Sequence, residues 1–141
     1  MKKFEWVEHP SDIGFKAYGK DLEEAFENAA LALFEVMVDT SKVEPKSETV
    51  VELEAEDEGA LLYDWLDKLI YLRDAKDLVM SKFSVKISKT KSDLKLSAKA
   101  YGEPFSAKKH NERTAVKAMT YHMMEIKKDP SQCWVRAVVD I

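Results

Sequence analysis

The apolar residues of this chain switch between two spacings, and the order of the switches restricts its fold more than any motif does. From Leu22 to Met37 they recur at Leu22, Phe26, Ala29, Ala30, Leu33 and Met37, the one-sided pattern of an amphipathic helix. Asp21 and Glu24 supply a capping box at its start. The run TVVELEAE then alternates Val51, Leu53 and Ala55 against Glu52 and Glu54, the period of a half-buried strand. A second helix follows, with Glu56, Asp57 and Glu58 at its positive N-terminal end and Leu62, Trp65, Leu66, Leu69 and Ile70 as its buried stripe. Its opposite face carries Asp64, Asp67, Lys68 and Tyr71.

Strand spacing returns in KFSVKIS and DLKLSAKAY, which TKS joins as a hairpin. MTYHMMEIKK and CWVRAVVDI form another hairpin around the proline-bearing turn DPSQ, with Asp140 ending the last strand. At the start, FEWVE and FKAY flank HPSDIG, whose turn-forming residues put Asp12 on a loop between two strands. The order β-β-α-β-α-β-β-(β)-β-β predicts an α+β fold, a mainly antiparallel sheet with two main helices. No linker, repeat or low-complexity tract divides residues 1–141, so one domain is expected.

Composition narrows the function. Charged residues make 34% of the 141 residues, yet 22 basic against 26 acidic side chains leave a net charge of −4. Such a surface is poorly suited to neutralising many phosphates, so contact with RNA is expected only through a partner. Cys133 is the sole cysteine, which excludes an internal disulfide and a cysteine zinc site. The start MKKFEWVEHPSD turns acidic before any signal-like apolar run, and the longest apolar run, AALALF, is far short of the ~18 residues needed to span a bilayer. A cytoplasmic protein without a membrane partner is the expectation.

Asp12, Asp140 and the α-carboxylate of Ile141 are an oxygen-only donor set of the kind that calcium, magnesium or manganese prefers. The plainer alternative has Ile141 packing in the sheet and Asp12 capping a turn; nothing in the pattern alone brings the three together. His9, His110 and His122 match no local zinc spacing such as HExxH. Lys108, Lys109, His110, Arg113 and Lys117 form a basic cluster suited to a phosphate or an acidic partner, or simply a solvated loop. Cys133 lacks the cationic surroundings of a nucleophile, and GxSxG, P-loop and GxGxxG motifs are absent.

The blocks HPSDIGFKAYG, LEEAFENAALALFEVMVD, EDEGALLYDWLDKLIYLRD, KKH, VKAMTYHMMEI and VVDI, in that order, resemble the archease family over essentially the whole chain. The resemblance implies strand-helix-strand-strand modules, one inserted in another. It also implies a non-catalytic cofactor of RtcB-type RNA ligases, which attach GMP to an active-site histidine before joining RNA ends in tRNA splicing and RNA repair. The accessory protein would speed that guanylylation and permit multiple turnover, with GTP bound by the ligase. Carried over by motif, a divalent metal would sit on Asp12 of SDIG, Asp140 of VVDI and the Ile141 carboxylate. Lys109 and His110 of KKH, Asp39 of VMVD and His9 become candidates for contact with the partner or a phosphate. The family block usually reads His-Thr-Ala-Asp-Ile-Gly; Pro10 and Ser11 replace its middle pair here. Two other classes compete: a free-standing metal-dependent hydrolase or phosphoesterase with His9 or His122 as base, and a chaperone-like binding module.

Overall fold

Helix α1 spans Leu22–Met37, the range its apolar spacing predicts. The Glu24 N–H donates to Asp21 Oδ1 at 2.8 Å, while the Glu24 carboxylate accepts from the N–H of Lys20 at 2.9 Å, one residue before the cap. The computed structural model describes residues 2–8 and 12–141. Helix α2, Glu58–Lys76, is capped by Asp57, which accepts from the Ala60 N–H, and stops where Asp77 turns left-handed at φ 54°. Its Trp65 is fully buried and donates its indole N–H to the Phe26 carbonyl of α1 at 3.1 Å, so the apolar ring enters the core without an orphaned donor.

Among the described residues the strands form two antiparallel sheets. One sets β1 (Phe4–Glu8) beside β2 (Asp12–Gly19) and β2 beside β8 (Cys133–Asp140), whose other side pairs with both β6 (Ala118–Met119) and β7 (Glu125–Lys128). The other runs β3 (Ser47–Ala55), β5 (Leu94–Pro104), β4 (Leu78–Lys89). The unit β3-α2-β4-β5 lies in sequence between the β2-α1 and β7-β8 halves of the first sheet, giving the nested modules of the α+β expectation. Helix α1 packs on β2 and β8 of one sheet and on β4 of the other. It therefore buries Ala25, Ala29, Ala32 and Val36 as well as Phe26, Leu33 and Met37, more than a single stripe.

Two local expectations change. Asp12 is the first residue of β2 rather than part of the turn, because the ladder with β8 reaches it. The strand expected over 119–128 is broken: Met123 adopts φ 55° and the Met124 N–H bonds the Tyr121 carbonyl, so the chain turns between β6 and β7. Both pieces still pair with β8.

The free side of β4 is closed by carboxylates. Glu27 and Glu23 of α1 accept the N–H groups of Val85 and Ile87 at 2.9 and 2.8 Å, and burial pushes the Glu27 carboxyl pKa up. Gly102 lies where the β4–β5 register shifts between Met80 and Lys82, and a Cβ there would stand 1.8 Å from the Val79 carbonyl oxygen. Since that neighbour is backbone, Gly102→Ala is expected to cost about 3 kcal/mol, measured as a lower midpoint in urea denaturation. An unchanged midpoint would show that the strands can part there freely.

Candidate functional site

In the β2–β8 ladder Asp12 stands directly opposite Asp140. Residues so placed in an antiparallel pair hold their Cβ atoms about 5 Å apart on one face. On that face follow Gly14 opposite Val138, Lys16 opposite Arg136, and Tyr18 opposite Trp134, while Ile13, Phe15 and Ala17 turn toward the core. Asp140 is exposed and Asp12 half-buried. The position of Asp140 is fixed from both sides, by β2 and by β6, where Ala118 opposes it and the Lys117 N–H donates to its carbonyl at 2.8 Å. Among the described residues neither carboxylate has an ion-pair partner. Like charges in direct cross-strand register repel. A hard cation between them would reverse that repulsion, so the donor set fits a divalent metal in charge and in ligand type. No group of three or more His, Cys, Asp or Glu side chains converges as a metal cluster among the described residues. Ile141 is half-buried, its side chain against the core.

A second cluster forms around Glu103. The N–H of Glu44 donates to its carboxylate at 2.9 Å, His110 Nε2 at 2.8 Å and Lys109 Nζ at 2.9 Å. The Ser106 N–H donates to His110 Nδ1 at 2.9 Å, so Nδ1 is the acceptor and Nε2 carries the proton toward Glu103. His110 is completely buried at the end of the short helix α3, Ala107–His110. The Glu44 N–H, followed by His110, holds the Glu103 carboxyl down at about 2. Lys109 also bridges to Glu44 at 2.7 Å. Asp39 accepts from Ser41, whose hydroxyl bond holds its pKa below the usual value, and its N–H donates to the His110 carbonyl.

The open basic patch expected over 108–117 is therefore largely neutralised from within. Lys109 is paired to two acids, Arg113 bonds the Glu35 carboxylate at 2.5 Å, and His110 is sealed inside. Asp39, Lys109 and His110 come together, and residues 111–117 run from them to the Asp12–Asp140 pair. The expectation for His9 falls outside the described residues. Glu103 carried no signal in the sequence, and neither did the exposed Tyr121, which lay inside a run read as strand.

Residues 4–141 match the Archease protein family (MTH1598/TM1083). Protein archease of Sulfurisphaera tokodaii is 50% identical over 141 residues, covering all of both chains. Protein archease of Pyrococcus abyssi is 48% identical across 99% of this chain and 98% of its own. The solution structure of Methanobacterium thermoautotrophicum protein 1598 shares the fold with a TM-score of 0.87, at 47% identity and full coverage of both chains. A crystal structure from Thermotoga maritima, described as an archease and possible chaperone, gives a TM-score of 0.59 over 96% of this chain and 94% of that one; at 21% identity it is a likeness of fold. With the family matched along nearly its whole length and relatives near half identity end to end, the chain belongs to the archease family.

Proposed function

We propose that this protein is an accessory activator of an RtcB-type RNA ligase in tRNA splicing and RNA repair. It promotes GTP-dependent guanylylation of the ligase histidine and multiple turnover, and it catalyses no reaction of its own. The observation that carries this reading is the in-register pair Asp12–Asp140, without a cation paired to it among the described residues, in a chain of the archease family. The pair and the α-carboxylate of Ile141 would hold calcium, magnesium or manganese. A metal held there would supply positive charge toward a polyphosphate bound by the ligase. The chain's own contribution is placement: β2 and β6 clamp Asp140 from two sides, so the carboxylates are preorganised before the partner arrives. Lys109 and Asp39 complete the reading as contact residues, with the buried His110 adjoining them, and His9 stays a candidate from the sequence alone. RNA is reached only through the ligase, in keeping with the net charge of −4.

No helix among the described residues is long and apolar enough to cross a membrane, and a cytoplasmic setting beside the ligase belongs to the same proposal. The decisive experiment measures transfer of labelled GMP from GTP to the cognate ligase with and without this protein. The expected result is a rate increase of at least about tenfold, equal to about 1.4 kcal/mol of barrier, with no turnover of GTP or RNA by the protein alone. GTP or phosphoester hydrolysis by the isolated chain, lost in Asp12→Ala, would establish the hydrolase class instead.

A further inference from the structure

The outward face of α2 is used neither by the carboxylate pair nor by the Glu103 cluster. Asp64, Asp67, Lys68 and Tyr71 line an open hollow there with Leu53 of β3. On its flank Tyr63 stacks on Tyr121, ring centroids 4.2 Å apart and planes 9° from parallel. The Tyr63 hydroxyl donates to the Met119 carbonyl at 3.4 Å, which ties the lower ring to β6. Tyr121 is nonetheless 61% exposed and Tyr71 47%. Aromatic rings held in place yet left in solvent mark a contact surface, because little side-chain freedom remains to be lost on binding.

Acids outnumber cations in this hollow, where Asp64 and Asp67 stand with one lysine, Lys68. Burial raises the Tyr121 hydroxyl pKa, and Asp64, Asp57 and Glu56 add to the effect. Asp64 is itself pushed up by burial and by Asp67. Neither Asp64 nor Asp67 has an ion-pair partner among the described residues, and the cation on this face, Lys68, lies over the Tyr71 ring at 4.7 Å. Phosphate-bearing ligands are repelled by such a face; a guanidinium is drawn to it twice, by stacking on the ring and by forking to a carboxylate. Tyr121 follows Ala118 by three residues, at most about 11 Å of chain, and Ala118 stands opposite Asp140.

We infer that Tyr121, braced on Tyr63 and facing the carboxylate of Asp64 with Asp67 next to it on α2, is a docking surface for an arginine-bearing segment of the partner protein, beside the Asp12–Asp140 pair. The naming of that partner as the ligase rests on the function proposed above. Binding to the cognate ligase is measured by calorimetry for the wild type, Tyr121→Ala, Tyr121→Phe, the double variant Asp64→Asn/Asp67→Asn and, on β3, Val50→Ala. Tyr121→Ala is expected to weaken binding about 30-fold and the double variant about tenfold, the latter with a shallower salt dependence. Tyr121→Phe keeps the stack and Val50 lies on the face of β3 opposite Leu53, so both bind as the wild type does. Saturating Tyr121→Ala restores the full guanylylation rate, as an affinity role requires. Melting curves check that the exposed substitutions leave the fold intact. If the wild type binds and stimulates while Tyr121→Ala and Asp64→Asn/Asp67→Asn bind within about twofold of it, the docking surface is wrong and the function stands. If the wild type neither binds nor stimulates, the function falls and this surface falls with it. A Tyr121-dependent dimer of the chain alone, seen by sedimentation, would also overturn the assignment, by showing a second copy as the occupant.

Discussion

Asp140→Ala and Asp12→Ala are each expected to reduce guanylylation of the ligase to the rate of the ligase alone, if the proposed function holds, while leaving the protein folded. The two side chains oppose each other at the end of the β2–β8 ladder, outside the core and without an ion-pair partner among the described residues. Removing either takes away a like-charge repulsion and no packing, so the melting temperature should hold within about 2 °C or rise slightly. Calorimetric titration with manganese provides a readout independent of the ligase: binding by the wild type and none by either variant. A short tail after Ile141 should act in the same direction, by displacing the α-carboxylate while both aspartates remain. Full stimulation by Asp140→Ala would remove the carboxylate pair from the mechanism.

Glu103→Ala is expected to match Gly102→Ala in its cost to stability. Its carboxylate, nearly buried, receives the Glu44 N–H, His110 Nε2 and Lys109, and truncation leaves the first two facing an apolar gap. A loss of about 3 kcal/mol is expected, measured by urea denaturation at neutral pH. The same contacts set a pH dependence. The folded carboxyl titrates at about 2, below the ordinary 4.5, so its contribution is complete above pH 4.5 and is lost as pH falls toward 2. Wild-type stability should therefore drop more steeply across that window than the stability of Glu103→Gln. Parallel slopes for the two proteins would dissociate Glu103 from the acid limb.

What the sequence revealed was what neighbours along the chain decide. The α1 boundaries rest on its apolar spacing and on Asp21, Glu24 and their local hydrogen bonds, all within a few residues of one another. The hairpin of β4 and β5 was legible for the same reason, since its turn and both periodicities are contiguous. Proline and serine before Asp12 point to a turn there; the strand that pairs with it, β8, lies far along the sequence. The break between β6 and β7 has no glycine or proline to announce it, since Met123 occupies the positive-φ position. Lysine and arginine in 108–117 read as solvated charge until Glu44, Glu103 and Glu35 arrive from distant elements. The donor atoms of the candidate site were thus recognisable by type, and their meeting was a matter of register.

That register has a consequence for how the molecule comes into being. The strands of the inserted unit are close in sequence, so its sheet closes short loops and can assemble early. The outer sheet must instead join residues 12–19 to residues 133–140, across nearly everything between. A nascent chain emerges with β2 and α1 first and holds an unfinished sheet until β8 has been translated. The aspartates stand opposite each other only once β8 has paired with β2, so a partly folded chain lacks the in-register pair.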